Sequence, residues 1–505
     1  MSGVFSELFP AGEALERRFL RTDTGREISY AQAAEQSAQL AHALVALGVQ
    51  PGDRVAVQVE KSPESVLLYL ATLRAGAVYL PLNPAYTAAE IEYFLRDAEP
   101  ALFVCAPERR ESLEPLARGL GVRAVLTLGA AGEGSLAASA RACPAQFATV
   151  VRGPDELAAI LYTSGTTGRS KGAMLTQRNL LSNARTLAAV WQFTPADVLL
   201  HALPIFHIHG LFVAINVTLA AGSSLLFLPR FDLERVLCRL PQASVMMGVP
   251  TFYVRLLKDA RLDRRLASSC RVFISGSAPL LIETAREWQA RTGQTLLERY
   301  GMSETGMNTS NPYAGERIPG SVGLPLPQVE LRITDPLSGA PLATDHIGMI
   351  EVRGPNVFAG YWRQPEKTRA EFRGDGFFIT GDLGRVDAKG YVYIIGRSND
   401  LIISGGYNIY PKEIEIEIDA LPGILESAVF GVPHPDFGEG VTAVVVRAPG
   451  AAPLSEAEVI AGLRTRLAAY KLPKRLLFAE DLPRNSMGKV EKKQLRERYA
   501  RLYAS

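Results

Sequence analysis

The feature that most restricts how this chain can fold is a change of hydrophobic period, from helical to strand-like and back, repeated over its first three hundred residues. Residues 29–47 carry apolar side chains at helical spacing and stop at Gly48. Residues 52–60 (GDRVAVQVE) then read as a strand, and residues 62–76 (SPESVLLYLATLRAG) as another helix. Such alternation predicts sheets of largely parallel strands covered by helices. It continues to about residue 310, where Gly- and Pro-rich residues 317–328 break it. From residue 329 to 393 short strands and turns predict a small β-rich subdomain. Beyond Gly396, PKEIEIEIDAL reads as a helix, residues 426–447 as two strands around a turn, and Ser455 with Glu458 as a capping box. The expected fold class is α/β. A large N-terminal domain, 1–396, holds helix-covered sheets and the β-rich subdomain; a small α+β domain follows, 397–505.

One segment needs weighing as a membrane span. Residues 198–229 contain no Asp, Glu, Lys or Arg, longer than the usual threshold for such a reading. His201, Pro204, His207, His209, Gly210, Asn216 and Gly222 divide it, however, into a strand, a turn, a buried helix near 211–221 and a second strand. No membrane span is expected. With 54 basic and 52 acidic residues, whole-chain charge gives no argument for nucleic acid or an anionic membrane. Four cysteines without a CxxC pair argue against disulfides and structural zinc, so a reducing, cytoplasmic setting is expected. Residues 464–501 are locally basic, 12 cations against 4 anions. They read either as a solvated helix face or as a surface turned toward a polyanionic substrate.

The strongest chemical signal is residues 162–172, YTSGTTGRSKG, between two apolar strand-like runs. Glycines let backbone N–H groups converge, and the hydroxyls and Lys171 add donors, a combination that suits a phosphate chain. The spacing is not that of a Walker A loop, which opens a helix.

TSGTTGRSKG resembles the phosphate loop of the adenylate-forming superfamily, and further motifs follow in that family's order. Residues 298–305 (ERYGMSET) resemble its aromatic-Gly-x-Ser/Thr-Glu segment, and Tyr361-Trp362 its GYW element. Thr380-Gly381-Asp382 resembles its ribose motif; Gly396-Arg397 and Gly405-Gly406-Tyr407 resemble its hinge and glycine turn. Residues 483–489 (PRNSMGK) resemble its terminal lysine motif. The resemblance implies the adenylate-forming fold, with a mobile C-terminal domain hinged at Asn399. It also implies ATP and CoA as co-substrates and Mg²⁺ as cofactor.

Residue roles follow from the same resemblance. Lys489 would bridge the reacting carboxylate and the α-phosphate. Glu304 would hold Mg²⁺, Asp382 the ribose hydroxyls, and Tyr300 would lie against adenine with residues 276–278 (Gly276, Ser277, Ala278) on its other side. Thr163, Ser164, Gly165, Thr166, Thr167, Gly168 and Lys171 would surround the phosphates. Glu298, Gly301, Ser303 and Arg397 would complete the nucleotide site. At the hinge the family commonly has Asp or Lys, so Asn399 is a departure.

Three segments bear on the acid. Residues 206–210 (FHIHG) lack the nearby Asp that amino-acid-activating domains use for an ammonium. The HxH pair has no accompanying carboxylate or cysteine, so it does not read as a metal site. Ser277 stands where ligases for aromatic and fatty acids often have a small apolar residue. Arg299, directly before Tyr300, brings a planar cation that suits a second carboxylate. Together Ser277 and Arg299 predict a short dicarboxylic acid. LLERYGMSET, HALPIFHIHGLF and SGSAPLL resemble the malonyl-CoA synthetases in particular. That resemblance implies malonate as substrate, with Ser277 and Arg299 on its distal carboxylate and Ile208 and Met307, beside His207, bordering its α-carbon. The alternatives are a CoA ligase for methylmalonate or succinate, or a stand-alone adenylation domain.

Overall fold

The computed structural model describes residues 2–504 except 164–169, 405, 406, 453, 486 and 487. The expected phosphate-loop residues Ser164, Gly165, Thr166, Thr167 and Gly168 therefore lie outside the described residues. So do the Gly405-Gly406 turn and the side chain of Asn399. Internal packing divides the chain into two compact units. One comprises residues 1–276, 280–330 and 353–376, the other residues 277–279, 331–352 and 377–505.

The first unit is built on two sheets, as the alternating pattern predicts. In one, Ala124–Thr127, Leu102–Cys105, Arg54–Gln58, Val78–Pro81 and Leu157–Thr163 run parallel, and Lys171–Thr176 turns back antiparallel at the edge. In the other, Arg18–Thr22, Ser224–Phe227, Val198–His201, Val245–Gly248, Val272–Ser275 and Leu297–Met302 are parallel neighbours. Gly306–Ser310 then adds antiparallel beside Leu297–Met302. The covering helices start where local chemistry dictates. Ser29 accepts from the Gln32 amide and Gln32 reciprocates, opening helix Tyr30–Ala46; Ser62 does the same with Ser65 ahead of Pro63–Arg74, whose Pro63 needs no donor there.

The uncharged segment resolves into strand Val198–His201, a helical stretch and strand Ser224–Phe227. No described helix is long and apolar enough to cross a membrane. The expected helix does not begin as an ordinary α-helix. His209–Ile215 is a π-helical turn that passes into α-helix Asn216–Ala221. A side chain on Gly210 would put its Cβ 2.1 Å from the Pro204 carbonyl oxygen, and the Gly210 carbonyl itself accepts from His201 Nε2 at 2.8 Å.

The second unit contains a four-stranded sheet, Glu330–Thr334, Gly348–Arg353, Phe378–Val386 and Val392–Arg397, where the β-rich subdomain was expected. It also contains the C-terminal sheet, centred on the long antiparallel pair Ile424–His434 and Gly438–Arg447 with Arg475–Ala479 parallel to the latter. Helix Pro411–Asp419 covers this sheet. Basic residues 464–501 are partly engaged within the second unit. Arg466, Lys471, Arg475, Arg484, Lys492 and Arg496 pair respectively with Glu417, Glu413, Glu456, Glu426, Glu415 and Asp400, all outside the segment. Half of its cations are thus matched by acids from elsewhere in the unit.

Candidate active site

In the first unit the hairpin Leu157–Thr163/Lys171–Thr176 brings Thr163 opposite Lys171 at the base of the glycine-rich loop. Two tyrosines brace that base. Tyr93 donates to the Ser170 carbonyl at 2.6 Å, and Tyr162 donates to Asp97 at 2.5 Å. Lys171 is buried, with its ammonium 3.7 Å from Glu371 and 5.1 Å above the Tyr361 ring. Desolvation holds it below the usual lysine range, against the opposing pull of Glu371. Glu304, also buried, accepts from the Thr163 hydroxyl at 3.2 Å. The Tyr361 hydroxyl lies 3.2 Å from that same Glu304 oxygen and 2.7 Å from Glu371. Burial, then the two carboxylates, push the Tyr361 phenol up, so it remains a protonated donor. Thr163, Lys171 and Glu304 are therefore brought together as expected. Tyr361 carried a motif but no assigned role, and nothing in the local sequence singles out Glu371.

The acyl-pocket candidates form a second cluster. Strand Leu297–Met302 carries Glu298, Arg299, Tyr300 and Gly301, with Ser303 and Glu304 in the turn that leads to Gly306–Ser310. Arg299 is 3% exposed, and its Nε and Nη2 have no hydrogen-bond partner among the described residues. Desolvation pushes its pKa down to about 9, still cationic at neutral pH. Its guanidinium lies against Gly276, where any Cβ would come within 2.6 Å of Cζ. The Arg299 charge also acts on His207 and His209. Burial and then this cation push His207 down to about 4 and hold His209 well below the ordinary histidine range. The His209 amide donates to His207 Nδ1 at 3.2 Å, so the neutral His207 ring carries its proton on Nε2.

Ile208 and Met307 are both buried. Ile208 borders a cavity that Phe212, Leu180 and Gly306 also line. Asn183, which the sequence did not single out, fixes Met307 by two backbone bonds, Nδ2 to its carbonyl at 2.9 Å and its N–H to Oδ1 at 3.1 Å. Glu298, immediately before Arg299, is not its counter-ion: its Oε1 accepts from the Gly320 amide at 3.1 Å, and burial pushes its carboxyl up to about 8.

The remaining candidates belong to the second unit. Asp382 and Arg397 are opposite one another on paired strands and form an ion pair of 2.8 Å, with Arg397 also donating to the Thr380 carbonyl at 3.1 Å. Lys489 lies within reach of the same charges. Desolvation and then Arg397 hold its ammonium below the usual lysine range, while Asp382 and Asp400 act in the opposite sense. Ser277 follows Gly276 with a left-handed φ of 71°, rare for a residue with a side chain.

The first unit thus holds a buried threonine–lysine–glutamate group at the foot of the glycine-rich hairpin, and the second, taken by itself, holds Lys489 near the Asp382–Arg397 pair. The chain belongs to the AMP-binding enzyme family: that family's model matches residues 9–362, and the model of its C-terminal domain matches residues 413–489. ATP-bound MatB from Rhodopseudomonas palustris is 58% identical, with 99% of each chain covered and a TM-score of 0.98. The mitochondrial malonate–CoA ligase of Mus musculus is 37% identical, over 92% of this chain and 86% of the relative. A feruloyl-CoA synthase of an Amycolatopsis species is equally 37% identical, over 94% of each.

Proposed function

We propose that this chain is a malonate–CoA ligase. It joins malonate to ATP as malonyl-adenylate, releasing pyrophosphate, and then transfers the malonyl group to the thiol of CoA, releasing AMP. Relatives of equal identity act on malonate and on ferulate by their names, so the choice of acid needs a residue-level argument. Buried Arg299, whose Nε and Nη2 have no partner among the described residues, carries it. A guanidinium stripped of water is costly unless an anion meets it, and a dianionic acid brings one carboxylate to the α-phosphate and a second to Arg299. A monocarboxylate would leave the cation stranded.

The other residues take roles suited to their surroundings. Lys171 and Lys489 supply positive charge where the transferring phosphate becomes more negative, usually the largest catalytic contribution of such a site. Asp382, held by Arg397, is assigned the ribose hydroxyls, and Tyr300 the adenine face. Neutral His207, with Nδ1 occupied by an amide, donates only through Nε2. Glu304 fits Mg²⁺: it is a buried hard oxygen donor, and the described residues contain no group of three or more metal-binding side chains. Its other ligands would come from the nucleotide and water, and the ion would supply charge neutralisation on the phosphates.

The test is pyrophosphate release from malonate, methylmalonate, succinate and butyrate, with and without CoA. Malonate should give the highest kcat/KM, with CoA required for turnover. Preference for methylmalonate or succinate would support the neighbouring ligase reading. Pyrophosphate release without thioester formation would support a stand-alone adenylation domain.

A further inference from the structure

Lys489, the candidate adenylating lysine, sits at the end of a tight hairpin rather than on a regular element. Arg484 and Val490 form its base as an isolated antiparallel bridge. Within it, Asn485 accepts from the Gly488 amide at 2.9 Å and donates its own amide to the Lys489 carbonyl at 3.0 Å; the Lys489 amide donates to Asn485 Oδ1 at 3.0 Å. So short a hairpin has little core of its own, and its orientation must be set at its two ends.

Each end carries an ion pair to a different element of the C-terminal sheet layer. Before the lysine, Arg484 pairs with Glu426 on strand Ile424–His434 and donates Nη1 to the Gly488 carbonyl at 2.8 Å, one residue from Lys489. After it, Lys492 meets Glu415 of helix Pro411–Asp419 at 2.6 Å. Glu415 is 5% exposed, and its Oε1 also accepts from the Val429 amide at 2.9 Å on that same strand. Both carboxylates are thus referenced to one strand, which is paired along its length with Gly438–Arg447. The side chains of Arg484 and Lys492 are 27% and 17% exposed, too enclosed to be ordinary surface pairs of negligible worth.

We propose that Arg484–Glu426 and Lys492–Glu415 form a two-point clamp whose members are positioning residues for the Lys489 ammonium. The clamp rests on the reading of Lys489 as the adenylating lysine. Its logic is that one end fixes the hairpin's direction and two ends fix its rotation. Misplacing a catalytic group by about 1 Å can cost on the order of 100-fold, so loosening either end should weaken adenylation without removing any group that touches the nucleotide.

The experiment measures both half-reactions separately: malonate-dependent exchange of pyrophosphate into ATP, and CoA thiolysis of supplied malonyl-adenylate. The variants are Arg484→Met, Glu415→Gln, Lys489→Ala and the Arg484→Met/Lys489→Ala double variant. Arg484→Met and Glu415→Gln should each lower exchange at least about ten-fold with the KM for ATP little changed and thiolysis retained. In the Lys489→Ala background Arg484→Met should add nothing, because the clamp acts through that lysine. Additive losses, or equal loss in both half-reactions, would mean a general structural role and overturn the clamp. Normal exchange in Arg484→Met and Glu415→Gln while Lys489→Ala has lost it would also overturn it. Normal exchange in Lys489→Ala would instead overturn the underlying reading of the lysine, and the clamp with it.

Discussion

Two arginines on neighbouring strands of one sheet meet opposite fates. Arg271, at the head of strand Val272–Ser275, is fully provided for. Nε and Nη2 reach both oxygens of Asp197 at 2.8 and 2.9 Å, and Nη1 and Nη2 donate to the Trp191 and Gln192 carbonyls at 3.0 Å. Asp197 is held in turn by Ser244 at 2.6 Å and the Thr194 amide at 2.8 Å. Arg299, one strand away and more deeply buried, has no hydrogen-bond partner for Nε or Nη2 among the described residues. A cation that serves the fold carries its anion with it, because an unpaired buried charge is among the most expensive features a domain can keep. A cation retained without one marks a place where the anion comes from outside. The same contrast separates stability from chemistry, and mutation can test it from both sides.

The largest effect should come from Arg299→Gly. Losing one member of a buried charge pair costs about 2–5 kcal/mol, so kcat/KM for malonate should fall by roughly 10²–10³. Butyrate should improve relative to it as space opens beside Tyr300. Folding should be unharmed or slightly improved, since an unpaired charge leaves the interior. Asp197→Ala should do the reverse. Stranding Arg271 is expected to cost about 3 kcal/mol of stability, read as a lower urea midpoint, with kcat/KM for malonate unchanged at a temperature where the protein stays folded. If Arg299→Gly destabilised the fold and spared malonate, Arg299 would be a second Arg271 and the malonate assignment would fall.

A smaller effect is expected at the proposed acyl pocket, on the side away from Arg299. Methylmalonate adds one methyl at the α-carbon, where Ile208 and Met307 are the assigned neighbours. Removing a misfit of that size is worth about 1–3 kcal/mol. Ile208→Thr should therefore raise the methylmalonate-to-malonate ratio of kcat/KM by roughly ten-fold. An unchanged ratio would place Ile208 outside that pocket. Its effect should also be independent of Arg299, which is assigned to the other end of the acid.

What could be read from the sequence divides along the same line. Groups whose job is local announced themselves. The glycine-rich hairpin, Glu304, Asp382 and Lys489 stand in contiguous motifs, and Ser29 and Ser62 cap helices with partners three residues on. Arg299 could be singled out by type and position, but its lack of a counter-ion could not, since only the folded sheet shows which carboxylates fail to reach it. The adjacent Glu298 is the obvious partner by sequence and is engaged elsewhere. The ion pairs of residues 464–501 were hidden for the converse reason, because Glu413, Glu415 and Glu426, which meet Lys471, Lys492 and Arg484, lie some forty to eighty residues away. Neither the π-helical turn at His209 nor the bond from His201 to the Gly210 carbonyl within it is revealed by local periodicity. The sharing of Tyr361 between Glu304 and Glu371 needs three segments brought together.

Glu298 offers the finest test of the contrast between the two arginines. If it secretly neutralised Arg299, its carboxyl would be held below the ordinary range, and its removal would cost most at neutral and alkaline pH. The structure gives the opposite sign. Burial raises the folded carboxyl from an ordinary value of 4.5 to about 8. Between those values the folded protein holds a proton that the unfolded chain has released, so this group makes stability fall as pH rises through the interval and level off above about pH 8. A glutamine mimics the protonated carboxyl and has no proton to lose. Glu298→Gln should therefore match the parent near pH 4.5 and become progressively more stable than it up to about pH 8–9, a difference read directly from paired thermal midpoints across that range. A difference that shrank or reversed with rising pH would mean that Glu298 is ionised beside Arg299. The arginine would then have its own anion after all, and malonate's second carboxylate would have to displace it.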